Sequence, residues 1–189
     1  MKKLILASTS RYRAALLARL QLNFDVFNPQ VDETPQPGEL PLELSRRLAT
    51  SKALAYQGSL DAWVLGSDQV LDLEGSALGK PHTTENARAQ LAACSGKRVD
   101  FHTAVALAQP STGQVWTAEC TTTVQFRVLT AADINNYVSR EPALDCAGSF
   151  KVEGLGITLF DSVLSEDPTA LEGLPLISTC RLLRQQGLI

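Results

Sequence analysis

An aspartate near the middle of the chain directly follows an apolar run, where its carboxylate is placed to do chemistry. Asp68 comes after residues 62–66, which we predict to form a buried strand. Folds of the α/β class place ligand-binding groups at the carboxyl ends of such strands. A carboxylate there binds a divalent cation or activates water. The alternative is an aspartate that caps the turn of a following hairpin, and position alone slightly favours that structural role.

Three hydroxyl residues stand between an apolar run and a helical pattern at the start of the chain. Residues 8–10, Ser-Thr-Ser, follow the apolar residues 4–7 and precede two arginines. A helix N-terminus exposes unpaired N–H groups and a partial positive charge, so it is a natural seat for phosphate. Cations are locally unfavourable there, and an anionic ligand would explain Arg11 and Arg13. An ordinary capped helix with solvated arginines explains the pattern equally well.

Other charged residues are candidates for the same kind of site, although each is weak alone. Gly79 allows close backbone approach, and Lys80 after it supplies a point charge for phosphate. Lys52 lies on a predicted helix that follows an acidic loop. Asp32 and Glu33 in that loop either join the strand aspartate around a metal or simply solvate the loop.

A glycine-rich segment lies in the last third of the chain. Three glycines between residues 148 and 156 surround the isolated side chains of Phe150, Lys151 and Glu153. Glycines in this arrangement permit a tightly shaped loop that presents those side chains to a ligand. Composition alone is equally compatible with a simple turn.

The elements that must position these residues follow from hydrophobic periodicity and capping signals. We predict strands at residues 4–7, 24–27, 62–66, 99–108, 115–128 and 157–163, with a hairpin at 70–78. We predict helices at residues 11–20, 41–56, 84–93, 131–140 and 175–186. This order of elements predicts an α/β protein with a mixed sheet, and residues 1–189 contain no linker that divides them into separate domains.

Composition excludes several classes of protein. The 189 residues are 44% hydrophobic and 20% charged, which argues against global disorder. A net charge of −3 gives no reason to expect a nucleic acid polymer as partner. The four cysteines form no CxxC motif, so we expect reduced thiols in a cytoplasmic protein. The apolar run 4–7 is too short for a signal peptide, and no stretch reaches transmembrane length.

Taken together and in this order, the motifs resemble the Maf family of nucleotide pyrophosphatases. The matching segments are residues 4–10 with Arg13, 31–33, 52–53, 66–70, 79–81 and 147–156. The resemblance implies a cytoplasmic enzyme that hydrolyses the α–β bond of a nucleoside triphosphate, using a divalent cation such as Mg²⁺ or Mn²⁺. It also implies an α/β fold with a mixed twisted sheet, flanking helices and two lobes around a central cleft, often as a homodimer.

The resemblance also assigns roles to individual side chains. Asp68 matches the general base of the family. Four residues match groups around the triphosphate: Ser8, Arg13, Lys52 and Lys80. Glu33 matches an acid near the metal and substrate, so Glu33 and Asp68 are the expected metal ligands. Because an ordinary aspartate with a pKa of about 3.9 is a weak base at neutral pH, metal binding is an alternative to proton abstraction by Asp68.

The residue after the catalytic aspartate distinguishes branches of the family. The branch acting on dTTP and UTP usually has threonine there, whereas Gln69 resembles the branch acting on 7-methyl-GTP, with specificity positions at Tyr12, Gln69 and Glu153. N7-methylation makes guanine cationic, which favours stacking on an aromatic ring, and an ionised glutamate accepts hydrogen bonds from guanine. That branch often has tryptophan in place of Tyr12, so we expect weaker base selectivity here.

Two rival functions remain open at this point. The first is a pyrophosphatase for dTTP, UTP or other modified nucleotides, against which Gln69 and Glu153 argue. The second is a non-enzymatic regulator of septum formation, to which members of the family have been linked. A protein that only binds would not require the full set of Asp68, Lys52 and Lys80, so an enzyme is favoured.

Overall fold

The computed structural model describes residues 3–189, whose strands form one mixed sheet with helices packed against it. The strands are β1 (Leu4–Ala7), β2 (Phe24–Phe27), β3 (Trp63–Leu73), β4 (Ser76–Leu78), β5 (Arg98–Gln109), β6 (Gln114–Phe126) and β7 (Phe160–Leu164). The helices are α1 (Arg11–Ala18), α2 (Pro41–Leu54), α3 (Thr84–Cys94), α4 (Ala131–Arg140) and α5 (Leu176–Gln185). Short 3₁₀ turns lie at Ala147–Ser149, Leu155–Leu159 and Ala170–Glu172.

The sheet combines a parallel and an antiparallel part, which confirms the predicted mixed α/β class. Its strand order is β2-β1-β3-β5-β6-β7, with β4 paired to β3. Strand β1 runs parallel to both β2 and β3. Strands β3, β5, β6 and β7 follow one another in the sheet, and each is antiparallel to its neighbour. Strand β3 therefore joins the two parts and lies at the centre of the molecule.

The course of β3 corrects one prediction from the sequence. We predicted a strand at 62–66 followed by a separate hairpin, but β3 continues without a break to Leu73. Asp68 consequently lies inside a strand rather than at its end or in a turn. On one edge of β3, β1 pairs only as far as Gly66 and β4 pairs only with Leu71–Leu73. In the register of the described strands, residues 67–70 have no neighbour on that edge, and this gap opens the cleft.

The turns before β4 and β7 bear on two further predictions from the sequence. The Glu74-Gly75 turn is confirmed, because both residues have positive φ and connect β3 to β4. The predicted strand at 157–163 was wrong at its start. Residues 155–159 form a 3₁₀ turn, and β7 begins only at Phe160.

Two apolar cores lie on the same face of the long strands, and they define two lobes. The first core packs α3 and α4 around Phe101, Phe126 and Phe150. The second packs α1 and α5 around Leu65 and Leu107. On β5 and β3, polar side chains separate the two cores, and the cleft lies at this interruption.

Helix α2 covers the opposite face of the sheet and approaches β3 closely at Gly66. A Cβ atom on Gly66 would lie 2.3 Å from the carbonyl oxygen of Ala49 and 2.6 Å from the amide nitrogen of Ala53. Only a glycine allows this separation between helix and strand. The close packing brings Lys52 of α2 down to the level of Asp68 on β3.

The remaining sequence-level expectations concern cysteines and membrane segments. Cys94, Cys120, Cys146 and Cys180 are all free thiols, as predicted. No helix within residues 3–189 combines the length and apolar character needed to cross a membrane.

Candidate active site

A cleft of about 960 Å³ between the lobes brings together nine of the residues that the sequence suggested for the site. This volume lies within the usual range for small-molecule sites. These nine residues come from six separate segments of the chain. They are Ser8, Tyr12, Arg13, Glu33, Lys52, Asp68, Gln69, Lys80 and Glu153.

A buried lysine joins two carboxylates at the floor of the cleft. Lys52 Nζ lies 2.6 Å from Asp68 Oδ1 and 2.6 Å from Glu33 Oε1. Lys52 and Asp68 are only 6% and 7% exposed. Burial raises the pKa of Glu33, but the hydrogen bond and charge of Lys52, with the charges of Lys80 and Arg13, outweigh it and lower the pKa overall. These charges therefore act on one another across the cleft.

A second cation reaches Asp68 from the first helix. Ser10 caps α1 by accepting a hydrogen bond from the amide of Arg13, as the sequence predicted. The side chain of Arg13 donates from Nε to the carbonyl oxygen of Gly173 at 2.9 Å, and its Nη2 lies 4.0 Å from Asp68 Oδ1. Ser8 is buried beside the helix start, where its hydroxyl accepts from the Ser10 amide. The helix start thus faces the carboxylate, with the arginine fixed by backbone.

Gln69 holds a backbone segment of the C-terminal part of the chain. Its Nε2 donates to Thr103 Oγ1 at 3.0 Å and to the carbonyl oxygens of Ala170 and Leu171 at 2.9 and 3.2 Å. Ser67 on the same face of β3 donates to the carbonyl of Gly173 at 3.2 Å. The side chains on both sides of Asp68 therefore anchor the segment that also orients Arg13.

The cleft lining also contains an aromatic ring that lies close to cations. The guanidinium carbon of Arg11 lies 4.9 Å from the centre of the Tyr12 ring, and Lys151 Nζ lies 5.9 Å from it. Glu153 is exposed on the same loop as Lys151. Helix α4 supports this loop, since the hydroxyl of Tyr137 accepts from the Lys151 amide at 3.1 Å.

Lys80 enters the cleft from the loop after β4, and its position depends on helix α3. The side chain of Lys80 is exposed, and none of the ion pairs between residues 3 and 189 includes it. Gln90 donates to the Gly79 carbonyl at 3.0 Å and accepts from the Ser149 hydroxyl at 2.6 Å. Gln90 therefore ties the Lys80 loop to the glycine-rich loop. Asp32, by contrast, lies outside the cleft lining and accepts from the Thr34 amide.

The two carboxylates fit a hard divalent cation that is completed by a substrate. Mg²⁺ is commonly bound by one or two carboxylates together with phosphate oxygens and water. Glu33 and Asp68 converge on one point, the Lys52 ammonium, so their oxygens lie close together. Within residues 3–189 no group of three or more His, Cys, Asp or Glu side chains could hold a metal by itself. The donor set therefore suits an ion that arrives with the phosphates.

Reasoning from the sequence missed the residues that hold the site together. The carbonyl of Gly173, the amide side chain of Gln90 and the hydroxyl of Tyr137 each fix a residue of the cleft. Arg13 and Gly173 are 160 residues apart in the chain, so no local pattern indicates their contact. Arg11 was noted as an unexplained cation, but its contact with the neighbouring Tyr12 ring was not predicted.

Two relatives of the same name are similar to this chain over nearly its whole length. A protein named 7-methyl-GTP pyrophosphatase from Xanthomonas axonopodis pv. citri (strain 306) is 60% identical over 188 residues, covering 99% of this chain and 98% of the relative. A protein of the same name from Aromatoleum aromaticum (strain DSM 19018 / LMG 30748 / EbN1) is 52% identical over 188 residues, covering 99% of this chain and 97% of the relative.

A solved structure and a family model complete the comparison. The structure of a HAM1 protein from Coxiella burnetii superposes with a TM-score of 0.57 at 19% identity, covering 98% of this chain and all of that chain, so the two share a fold. The family model described as Maf-like protein matches residues 3–186. With relatives of this identity and coverage, the chain belongs to the Maf family.

Proposed function

We propose that this protein hydrolyses 7-methyl-GTP to 7-methyl-GMP and diphosphate. The observation that carries the proposal is the contact of buried Lys52 with Asp68 and Glu33, in a cleft that also contains Tyr12 and Glu153. The cleft therefore contains charged groups suited to bind a triphosphate. It also contains an aromatic ring and a carboxylate suited to bind a base. The names of the relatives from Xanthomonas axonopodis and Aromatoleum aromaticum support the same substrate.

In the proposed reaction Asp68 positions the attacking water. The water adds to the α-phosphorus and its proton passes to Asp68 or directly to solvent, the bond to the bridging oxygen breaks, and diphosphate leaves with the electron pair. Asp68 Oδ1 lies within reach of both Lys52 and Arg13, so the phosphate that receives the water meets two cations beside the carboxylate. Preorganised charges of this kind stabilise the negative charge that develops on transferred phosphoryl groups.

Glu33 and Asp68 are the residues that would hold a divalent cation, Mg²⁺ or Mn²⁺. Such an ion neutralises charge on the phosphate oxygens when it is bound. Lys80 and Ser8 line the same part of the cleft. We assign both to the triphosphate, because Lys80 brings a positive charge that the described ion pairs leave available and Ser8 lies at the start of helix α1.

We assign recognition of the base to a different set of cleft-lining residues. The Tyr12 ring offers a face for a cationic N7-methylated guanine, since aromatic faces attract cations. Glu153 offers acceptors for the N1–H and amino group of guanine. We assign Gln69 to specificity as well, through the segment 170–171 that its amide anchors beside the cleft.

The composition of the chain also bears on its cellular compartment and its partners. We propose one catalytic domain over residues 1–189 that acts on free nucleotides in the cytoplasm, without nucleic acid or membrane as a partner. The net charge of −3 and the four free cysteines support this choice. A homodimer remains a prediction from the family resemblance, and the elution volume of the purified protein tests it.

Replacing Asp68 with asparagine tests the proposal most directly. The amide keeps the size of the side chain but loses its charge, so we expect kcat on 7-methyl-GTP to fall about 10³-fold. Diphosphate and 7-methyl-GMP are quantified with Mg²⁺ present, alongside GTP, dTTP and UTP as competing substrates. Asp72→Asn is the matched control, because Asp72 lies on the same strand outside the cleft lining. Full activity of Asp68→Asn, or better turnover of dTTP or UTP by the native protein, would overturn the proposal.

A further inference from the structure

The aromatic ring proposed for base stacking already has cations of the protein beside it. Besides its guanidinium contact with the ring, Arg11 donates from Nη2 to the Tyr12 hydroxyl at 2.8 Å. Lys151 approaches the same ring from the glycine-rich loop. Cations within about 6 Å of a ring centre are attracted to its face. The ring therefore has two protein cations as neighbours in the state that the structure describes.

Arg11 has few other contacts to hold it. It is the first residue of α1 and is exposed, and a cation at a helix N-terminus is opposed by the helix dipole. The hydrogen bond to the Tyr12 hydroxyl raises the pKa of Arg11, and the nearby carboxylate of Asp145 raises it slightly further. Since none of these groups forms an ion pair with Arg11 among the described residues, its main partner is the ring of Tyr12.

Lys151 is built into the protein more firmly. Its amide donates to the Tyr137 hydroxyl, and its carbonyl oxygen accepts from the amides of Gly154 and Gly156. Burial lowers the pKa of Lys151, but the hydrogen bond to Tyr12, helped by the nearby charge of Asp145, outweighs it and raises the pKa overall. Lys151 thus belongs to the loop that shapes the cleft, whereas Arg11 is the cation that can be removed without disturbing that loop.

We infer that Arg11 is a specificity-determining residue, which limits the preference of the cleft for a cationic N7-methylated purine over a neutral purine. Any base that stacks on the Tyr12 ring competes with Arg11 for it, but only a cationic base is also repelled by the like charge of Arg11. The inference rests on the proposed function for the identity of the base. It goes beyond that function by assigning a residue outside the specificity positions that the family resemblance supplied.

A role of Arg11 in binding phosphate is separable from this one. GTP and 7-methyl-GTP carry the same triphosphate, so a phosphate contact changes the affinity of both nucleotides by the same factor. Only the ratio of their affinities reports on the base. A purely structural defect likewise cancels in the ratio, because the two ligands differ by one methyl group and one charge.

The test measures dissociation constants of α,β-methylene GTP and its N7-methylated counterpart, which bind without being cleaved. Calorimetric titration of the native protein, Arg11→Ala and Arg11→Lys gives the ratio for each. We expect Arg11→Ala to raise the preference for the methylated analogue about two- to fivefold. Arg11→Lys, which keeps the charge, stays close to the native ratio. Arg98→Ala, which removes an exposed arginine outside the cleft lining, controls for the change in net charge.

Each outcome decides between the inference and the proposed function. An unchanged or lowered ratio in Arg11→Ala overturns the inference, and so does an equal rise in Arg98→Ala. If the native protein binds both analogues but cleaves neither parent triphosphate, the proposed function fails while the ratio still decides the role of Arg11. If the native protein and Arg11→Ala bind neither analogue, both fail together.

Discussion

Two groups of side chains that line the cleft differ in how they are held. One group, which we call the phosphate wall because we propose that it binds the triphosphate, consists of Arg13, Lys52 and Asp68. Lys52 and Asp68 are buried and in direct contact, and Arg13 is fixed by a backbone carbonyl. The wall rests on β3, the central strand, and on α2, which packs closely against it. A shift of any one of these groups must move the other two.

The second group, which we call the base wall because we propose that it contacts the base, consists of Tyr12, Lys151 and Glu153. None of these side chains is fully buried, and Glu153 is exposed. The glycine-rich loop that carries two of them is fixed through its backbone, by Tyr137 and by its own amides. Buried and mutually paired charges suit a reaction that is the same for every nucleotide. Exposed side chains on a supported loop suit a choice among bases, because they can change without disturbing the catalytic charges.

Removing the central cation of the phosphate wall should have the largest effect. In Lys52→Met, Asp68 loses its 2.6 Å partner in a buried position. We expect kcat to fall about 10²- to 10³-fold. The free energy of unfolding should fall by about 3 kcal/mol, because the buried Asp68 charge loses its nearest cation and keeps only Arg13, at 4.0 Å. Steady-state kinetics and urea unfolding measure the two quantities.

Lys80→Met provides the matched comparison. Lys80 lines the same cleft but is exposed, and no ion pair of residues 3–189 includes it. We expect a higher KM and an unchanged free energy of unfolding. If the two lysine variants lose stability equally, the phosphate wall is not the tightly coupled unit described above.

The contact between α2 and β3 gives a second way to break the phosphate wall without touching its charges. In Gly66→Ala the new methyl group meets backbone atoms of Ala49 and Ala53 at 2.3 and 2.6 Å. Backbone cannot rotate away as a side chain can, so α2 must move and carry Lys52 with it. We expect a loss of about 1–3 kcal/mol in the free energy of unfolding, together with a lower kcat.

A second glycine controls for the substitution itself. A Cβ on Gly79 would have nothing within 4 Å, so Gly79→Ala should leave the free energy of unfolding close to that of the native protein. A Gly66→Ala variant with native stability and native kcat would mean that the helix position does not set the position of Lys52.

The phosphate wall was largely predictable from the sequence, but its geometry was not. The motifs identified Asp68 and Lys52, and the mixed sheet followed from the order of strands and helices. The continuous strand through Asp68 was not predicted, because Gly66 and the polar residues after it look like a turn. Residues 67–70 lie instead in the gap between β1 and β4, where Asp68 and Gln69 face the cleft.

The support of the base wall was less accessible to such reasoning. The contact of Gln90 with Ser149 spans 59 residues, and that of Tyr137 with Lys151 joins a helix to a loop. Neither residue type is unusual in a helix, and each performs its role only after the first lobe has packed. Contacts of this kind depend on tertiary structure, so spacing in the sequence gives no signal for them.

The smallest expected effect comes from loosening the base wall through Tyr137. The hydroxyl of this buried residue accepts from the Lys151 amide and donates to Glu141 at 3.3 Å. Tyr137→Phe keeps the ring in the core and removes both hydrogen bonds. We expect KM for 7-methyl-GTP to rise a few-fold with kcat nearly unchanged, and the free energy of unfolding to fall by about 1 kcal/mol. Tyr56→Phe, outside the cleft lining, is the control for loss of a phenol hydroxyl.

The division of the KM and kcat effects is what makes this variant informative. If the base wall is separate from the phosphate wall, a looser glycine-rich loop weakens the hold on the base while Asp68, Lys52 and Arg13 keep their contacts. A fall in kcat as large as that of Lys52→Met would show instead that the loop positions the reacting phosphate. The two walls would then act as one unit, and base selectivity could not change without altering the rate of cleavage.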